Sequence, residues 1–343
     1  MFIDYIVEES TSVAEALGIL ERNEYKVLAV ESDRLIGIVT DGDIRRFLLN
    51  NGDISQPVSL ASSKNPVFLK GFNEGKARKI LFEKSITCVP MTDDSGAVHA
   101  LVFKDTTFHR EGEALKNHVI IMAGGFGTRL YPYTDILPKP LMPMGKSTIT
   151  EIIIERFRKF GCRDITLVVN HRKNLIKSYF SEKEQDYNLE FVDEDTPLGT
   201  AGGLAFFKNR FSDDVFMTYC DNIIETDYRD IMSFHKREKN ILTLVAARKR
   251  VTVPYGVVEL NENGSVSEIR EKPSEEYLIN AGFYVISPRF IEKVKDNEFQ
   301  HITDLIKQCI SEGEKIGVYP IDEESFIDAG QIENLKEAKV IFG

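Results

Sequence analysis

The densest concentration of chemistry in the chain is Ala123-Gly124-Gly125-Phe126-Gly127-Thr128-Arg129-Leu130, followed by Pro138-Lys139-Pro140. Glycines let backbone N–H groups turn inward and approach phosphate oxygens closely. Arg129 and Lys139 add positive charge that can follow a moving phosphoryl group. Spacing excludes two familiar phosphate loops. GxGxxG needs a glycine at 130, where Leu130 stands, and GxxxxGK[ST] ending in Gly145-Lys146-Ser147 needs one at 140, where Pro140 stands. Downstream, Asp221 closes the apolar run Val215–Cys220. That is the C-terminal end of a predicted strand, where open α/β sheets bind ligands. Asp328 follows a second short apolar run, Phe326-Ile327. No Ser-His-Asp or Cys-His arrangement is evident, and the six histidines have no ligand spacing. The cysteines Cys88, Cys162, Cys220 and Cys309 lie far apart without a CxxC, which fits buried reduced thiols rather than a zinc ribbon or disulfide framework.

Further motifs follow the glycine run in order. They are Asp195-Thr196-Pro197-Leu198-Gly199-Thr200-Ala201-Gly202-Gly203, Pro254-Tyr255-Gly256-Val257-Val258, Glu271-Lys272-Pro273, Asn280-Ala281-Gly282-Phe283-Tyr284-Val285 and Phe326-Ile327-Asp328-Ala329-Gly330. Together they resemble the sugar-1-phosphate nucleotidylyltransferases, whose signatures run GGxGTRL…PKP, PLGTAG, PYGVV, EKP, NAGIYV and WxDxG. The resemblance covers roughly residues 118–340. Phe326 and Gln331 depart from the family's tryptophan and threonine.

The resemblance implies transfer of a nucleotidyl group from a nucleoside triphosphate to a sugar 1-phosphate, with release of pyrophosphate. A phosphate monoester has its second pKa near ~6, so the nucleophile is already ionised and no general base is required. Positioning and charge neutralisation remain for the protein to supply. Ala123, Gly124, Gly125, Gly127, Thr128, Pro197, Gly199 and Thr200 are the implied nucleotide contacts. Arg129 and Lys139 would neutralise the phosphates, and Lys272 would hold the sugar phosphate in line. Gly256, Glu271 and Asn280 would receive the sugar. Asp221 and Asp328 are the implied ligands of Mg2+, which commonly takes one or two carboxylates plus substrate phosphates. The implied catalytic set is thus Arg129, Lys139, Asp221 and Lys272. Asn170 either faces this site or N-caps a helix starting near Arg172.

The PLGTAG stretch and the length of this part resemble mannose-1-phosphate guanylyltransferases. The pairing with the N-terminal module described next resembles glucosamine-1-phosphate guanylyltransferases of bacterial surface-glycan (lipopolysaccharide or capsule) pathways. GTP is therefore the favoured nucleotide, with UTP, dTTP and CTP left open.

The elements that must position these residues divide at a polar segment, Phe108–Glu113. Residues 1–112 repeat a helix–strand–strand pattern in copies at about 1–60 and 61–112. Gly37-Ile38-Val39-Thr40-Asp41-Gly42-Asp43-Ile44-Arg45-Arg46 resembles the end of a CBS motif, so the tandem copies resemble a CBS pair. That implies an adenosine nucleotide contacted by Thr40 at phosphate and Asp43 at ribose. The alternatives are a pairing module without ligand, and Asp43 as a helix cap. In the second copy Phe103 stands in place of Thr40 and Thr106 in place of Asp43. Residues 113–343 should form a Rossmann-like, three-layer α/β nucleotide-diphospho-sugar transferase domain with a mostly parallel sheet. Helices are expected near 150–160, 175–181, 227–239 and 302–311, and a β-rich wall over 241–285.

The chain has 343 residues, 42% hydrophobic and 28% charged, with a net charge of −11. That composition is globular, and the acidic surface disfavours nucleic acid. No apolar run approaches a membrane span, and the N-terminus lacks a secretory pattern, so a cytoplasmic location is expected. No hexapeptide repeat marks a fused β-helix. A homodimer or higher homo-oligomer is expected from the CBS resemblance. The competing class is a catalytically inactive nucleotide sensor, which should have lost some of Arg129, Lys139, Asp221, Lys272 and Asp328. All five are present.

Overall fold

The computed structural model describes residues 2–104, 106–109 and 114–330. The chain splits into two compact units, Met1–Ala114 and Leu115–Gly343. The sequence boundary expected between Gly112 and Glu113 lies outside the described residues, as does Gln331.

In the first unit, helix Val13–Arg22 starts at Ser12, whose side chain accepts from the Glu15 N–H, and buries Val13, Ala16 and Leu20. Strands Ile6–Glu8, Val27–Glu31 and Leu35–Thr40 form one sheet, the first pair parallel and the second antiparallel. Helix Asp41–Leu49 follows directly. The second half repeats the order with Leu69–Lys70, helix Glu74–Lys84, Val89–Thr92 and Val98–Val102. It then diverges. Where Thr40 opens a helix, Phe103 is fully buried and stacks on Tyr25 at 4.2 Å between ring centroids. A phenyl ring cannot cap a helix. The chain instead turns back, with the Phe103 N–H donating to the Thr106 carbonyl, and Thr107–His109 pairs antiparallel with Val98–Val102.

The second unit is built on a seven-stranded sheet. Its spatial order is Asn188–Asp193, Asp164–Val169, Val119–Met122, Val215–Tyr219, Ser274–Ile286, Leu242–Thr252, Ile316–Ile321. Neighbours are parallel except Ser274–Ile286, which is antiparallel to both its flanks. Strands Val119–Met122 and Val215–Tyr219 are almost wholly buried, which is why they read as unbroken apolar runs. Ile120, Met122, Met217, Tyr284 and Ile286 point to one face and pack with Leu204, Phe290, Leu305 and Ile306. On the other face Phe216 and Phe283 meet Phe157 and Tyr228 at 4.9–6.0 Å between rings. Those aromatics come from helices Ile149–Lys159 and Tyr228–Glu238. The result is three layers. Helices Lys173–Ser181 and Ile302–Ser311 complete the expected set.

Leu242–Thr252 and Ser274–Ile286 run on past the core as an exposed ribbon. Between them hairpin Gly256–Leu260 with Val266–Glu271 forms its own two-stranded sheet. Its turn, Asn261-Glu262-Asn263-Gly264, closes with the Gly264 N–H on the Asn261 carbonyl. The expected β-rich wall is this arm.

Candidate active site

Two adjacent parallel strands set the site. The glycine loop leaves the C-terminal end of Val119–Met122, and Asp221 follows the C-terminal end of Val215–Tyr219. Ala123 anchors the loop, its N–H donating to the Val168 carbonyl at 2.8 Å. Gly127 holds φ +67°, a left-handed conformation that favours glycine, and a Cβ there would press on Thr134 and the Lys139 side chain at 2.8–3.0 Å. Gly125 differs: a Cβ would meet no described atom within 4 Å. The space above Gly125 is open, whereas Gly127 lets Lys139 pass close beneath the loop.

Lys139 and Arg129 converge on the aspartates. The Lys139 ammonium pairs with Asp221 Oδ2, and Arg129 Nη2 reaches the same oxygen at 3.4 Å. Arg129 Nη1 reaches Asp328 Oδ2 at 3.2 Å. Asp221 is buried, at 4% exposure, while the Arg129 side chain is 59% exposed. The aspartates come together through a short antiparallel pair, Asn222–Ile224 with Phe326–Asp328, in which Asn222 sits opposite Asp328. The Ala329 N–H donates to the Asp221 carbonyl at 2.9 Å, and the Gly330 N–H to Asp328 Oδ1 at 2.9 Å. Gly330 leaves no room for a side chain: a Cβ would strike Asp221 Oδ2, Asp328 Oδ1 and Arg129 Nη2.

The donor set suits a hard divalent cation. Two acceptor-only carboxylates from separate segments face one point, and among the described residues no group of three or more His, Cys, Asp or Glu is arranged to hold a metal ion. Magnesium at enzyme sites takes few protein carboxylates and completes its octahedron with water and phosphate oxygens.

The segment Pro197–Thr200 is held by backbone contact. Gly199 adopts φ +81° with the Gln300 carbonyl where its Cβ would be, the Ala201 N–H donates to that carbonyl, and Thr200 Oγ1 accepts the Ile302 N–H at 2.9 Å. Gly256 sits opposite Glu271 in the arm hairpin, and a Cβ on it would lie 3.1 Å from Glu271 Oε2. Lys272 follows with φ +45°, its N–H on the Tyr255 carbonyl. Glu271 and Lys272 are exposed on this arm, not in the aspartate cluster. Asn280 stands where the arm enters the core. Its Nδ2 donates to the Tyr284 hydroxyl and its Oδ1 accepts the Gly282 N–H. Asn170 is not a helix cap: Arg172 takes that position, and Asn170 Nδ2 donates to the Glu194 carbonyl at 2.8 Å, its Cβ beside Gly124.

Sequence reasoning missed Glu194. Its carboxyl is buried at 5% exposure, lies against Gly124 and Gly203, and its Oε1 has no hydrogen-bond partner among the described residues. Burial pushes its pKa up to about 7. The signal available was position alone: it stands at the end of a strand, immediately before the PLGTAG segment, among the equally acidic Glu190, Asp193 and Asp195.

In the first unit Thr40 and Asp43 occupy each other. Thr40 N–H and Oγ1 donate to Asp43 Oδ2 at 2.9 and 2.6 Å, and the Asp43 N–H donates back to Thr40 Oγ1. Arg46 pairs with the other Asp43 oxygen. This is a capping box for helix Asp41–Leu49, the alternative weighed against a ribose contact.

A family model described as nucleotidyl transferase matches residues 118–341, more than half of the chain. The chain belongs to the nucleotidyl transferase family. A CBS domain model matches residues 4–50. Among curated relatives, a UTP–glucose-1-phosphate uridylyltransferase of Synechocystis sp. is 30% identical over 239 residues, 64% of this chain and 61% of that one. A mannose-1-phosphate guanyltransferase of Emericella nidulans is 32% identical over 222 residues, 62% of this chain and 60% of that one. The chain thus spans about three-fifths of the length of these relatives. The crystal structure of HddC from Yersinia pseudotuberculosis, also solved complexed with GMP-PN, superimposes with a TM-score of 0.53 at 22% identity, over 66% of this chain and all of that one. It shares the nucleotidyl transferase fold. Among the described residues no helix is long and apolar enough to cross a membrane.

Proposed function

We propose that the second unit transfers a nucleotidyl group from GTP to a hexose 1-phosphate of the mannose or glucosamine type, releasing pyrophosphate. The observation that carries this reading is the convergence of Asp221, Asp328, Arg129 and Lys139 beneath the glycine loop. An already anionic sugar phosphate oxygen attacks the α-phosphorus, the new P–O bond forms, and the bond to the β-phosphate oxygen breaks. No protein base is needed for that step. What it does need is cancellation of negative charge around the α-phosphorus and the leaving group. Mg2+ bound to Asp221 and Asp328 would supply part of that cancellation. Arg129, exposed and only loosely held at 3.2–3.4 Å, is free to turn from the carboxylates to the triphosphate. Lys139, fixed under the loop by its contact with Gly127, stays beside Asp221 and the α-phosphate. Lys272 on the arm approaches the sugar phosphate from the opposite side, where Gly256 and Glu271 receive the hydroxyls.

The choice of guanine rests on Glu194. In its ionised form, held at and above about pH 7, the Glu194 carboxylate accepts hydrogen bonds only. Guanine offers two adjacent N–H groups, N1–H and N2–H2, whereas uracil and thymine offer one N–H between two carbonyl oxygens that repel a carboxylate. The Glu194 carboxyl lies against both segments implied to contact the nucleotide, its Oε2 beside Gly124 and its unpartnered Oε1 beside Gly203. The guanyltransferase relatives and the HddC complex with GMP-PN support the same choice.

The test is pyrophosphate release from GTP, UTP, dTTP and CTP, each paired with mannose, glucosamine and glucose 1-phosphates. GTP with mannose or glucosamine 1-phosphate is expected to be fastest. A preference for UTP with glucose 1-phosphate would transfer the assignment to the chemistry of the Synechocystis relative. No release with any pair would favour a nucleotide sensor.

A further inference from the structure

The two sides of the site, the cation Lys139 and the carboxylates of Asp221 and Asp328, are tied to one helix. Helix Ile149–Lys159 begins at Thr148, which forms a complete capping box with Glu151. Thr148 pairs antiparallel with Pro143. The Ile149 N–H donates to the Met142 carbonyl at 3.0 Å, and the Met142 N–H to the Lys139 carbonyl at 3.1 Å. The start of the helix is thus joined to the segment that carries Lys139. Arg156 stands two turns further on, on the same side of the helix as Ile149. Its Nη2 pairs with Glu225 Oε1. Glu225 directly follows strand Asn222–Ile224, and its N–H donates to the Ser325 carbonyl at 2.8 Å, which extends the ladder between Asn222–Ile224 and Phe326–Asp328. One end of that ladder bears the two aspartates. The other end is held by Arg156.

Stability alone does not account for this pair. Arg156 is 5% exposed and Glu225 fully buried, and Glu225 Oε2 has no hydrogen-bond partner among the described residues. Taking two charges out of water is expensive, and their attraction offsets that only where the remaining polar atoms are satisfied. Well-packed apolar side chains of similar volume commonly serve stability as well or better. What they do not supply is direction. A planar guanidinium meets a carboxylate in a set orientation, whereas two apolar side chains can slide past each other.

We propose that Arg156 and Glu225 are positioning residues that fix the aspartate ladder against the Lys139 segment, so that Asp221 and Asp328 present their carboxylates to a divalent cation in one arrangement. This rests on the nucleotidyl transfer proposed above. The pair acts through the main chain: Glu225 sets the course of Asn222–Ile224, and Asp221 lies at the far end of that strand.

The experiment compares the full chain with two variants. Arg156→Met with Glu225→Leu replaces both charges by apolar side chains. Glu225→Gln keeps an acceptor for Arg156 but leaves its charge buried and uncompensated. Three quantities are read: the thermal midpoint by circular dichroism, the affinity for Mn2+ by electron paramagnetic resonance, and kcat and KM for pyrophosphate release. Mn2+ stands in for Mg2+, and Asp221→Asn marks which part of its binding belongs to the site. The double variant is expected to melt at or above the temperature of the unmodified chain. It should bind Mn2+ about tenfold or more weakly and lose kcat by a similar factor, the range usual for residues that orient a metal's ligands. Its KM for mannose 1-phosphate should stay within about twofold. Glu225→Gln should melt lower, yet bind Mn2+ more tightly than the double variant. Stability and metal affinity thus move in opposite directions across the two variants. A merely structural pair would make affinity and rate follow the melting temperature, and that result overturns the proposal. So does a double variant that fails to fold, or one that folds and keeps the Mn2+ affinity and kcat of the unmodified chain. Absence of pyrophosphate release from the unmodified chain with every substrate pair defeats the transfer reaction, while the melting and Mn2+ comparison still decides for or against the pair.

Discussion

The Ala329 N–H donates to the Asp221 carbonyl at 2.9 Å, locking together two segments more than a hundred residues apart in the chain. Because Asn222 and Asp328 are strand partners across the same pair, the spacing of the two carboxylates is set by main chain, not by flexible side chains. Sites held by backbone pairing are preorganised. Asp221→Asn should accordingly leave the fold unchanged and lower kcat by about 10²–10³-fold, the cost typical of removing one electrostatic contact to a transition state. Asp328→Asn should act in the same direction. Circular dichroism together with initial rates of pyrophosphate release checks both.

Gly330 gives a sharper test of the same geometry. A methyl group there would meet Asp221, Asp328 and Arg129 at once. Gly330→Ala should reduce turnover at least about tenfold through displacement of the carboxylates, a misplacement effect of the kind expected near reacting atoms. Gly330 is buried, so the clash should also lower the thermal midpoint, and turnover is compared at a temperature where circular dichroism shows the variant folded. Turnover equal to the unmodified chain would show that the aspartate spacing is not critical.

Glu194 makes a prediction in pH. Burial raises its pKa from an ordinary value of 4.5 to about 7, so the folded chain holds that proton more tightly than the unfolded one. Stability therefore falls as pH rises from about 4.5 to about 7 and is level above, a loss of about 3 kcal/mol from this group. Glu194→Gln removes the slope, so its thermal midpoint should rise relative to the unmodified chain between pH 5 and pH 8. The same variant should lower kcat/KM for GTP by about 10–100-fold, the scale of a lost hydrogen bond to a charged group, with a smaller loss for UTP. Equal losses for both nucleotides would place Glu194 away from the base.

Lys272→Ala should raise KM for the sugar phosphate more than for the triphosphate, because Lys272 lies on the arm rather than with Arg129 and Lys139. Equal changes in both constants would put it on the nucleotide.

In the first unit Asp43→Ala breaks a complete capping box and should cost about 1 kcal/mol. Hydrogen exchange is expected to accelerate at the start of helix Asp41–Leu49. Adenosine nucleotide binding lost in the same variant would show that the box opens to accept a ribose.

Much of this was legible in the sequence because its signals are local. Val119–Met122 and Val215–Tyr219 are buried on both faces and so read as apolar runs, and the glycine loop stands out because Gly127 needs a left-handed backbone. The pairing of Asp221 with Asp328 was carried by family motifs, since nothing in their spacing reveals the Asn222–Asp328 ladder. Glu194 was illegible. Its character comes from lying under Gly124 and Gly203, a burial produced by tertiary packing of segments that the sequence shows only as acidic or glycine-rich. The end of the second repeat differed because one residue, Phe103, trades a capping hydroxyl for a core ring.

The most direct measurement is the rate of pyrophosphate release from GTP and mannose 1-phosphate as Mg2+ is titrated, in the unmodified chain and in Asp221→Asn and Asp328→Asn. The unmodified chain should be inactive in EDTA and saturate with Mg2+, and each variant should show a weaker Mg2+ response and a much lower plateau. Full rates in both variants, or release indifferent to EDTA, would contradict a divalent cation held between these two aspartates.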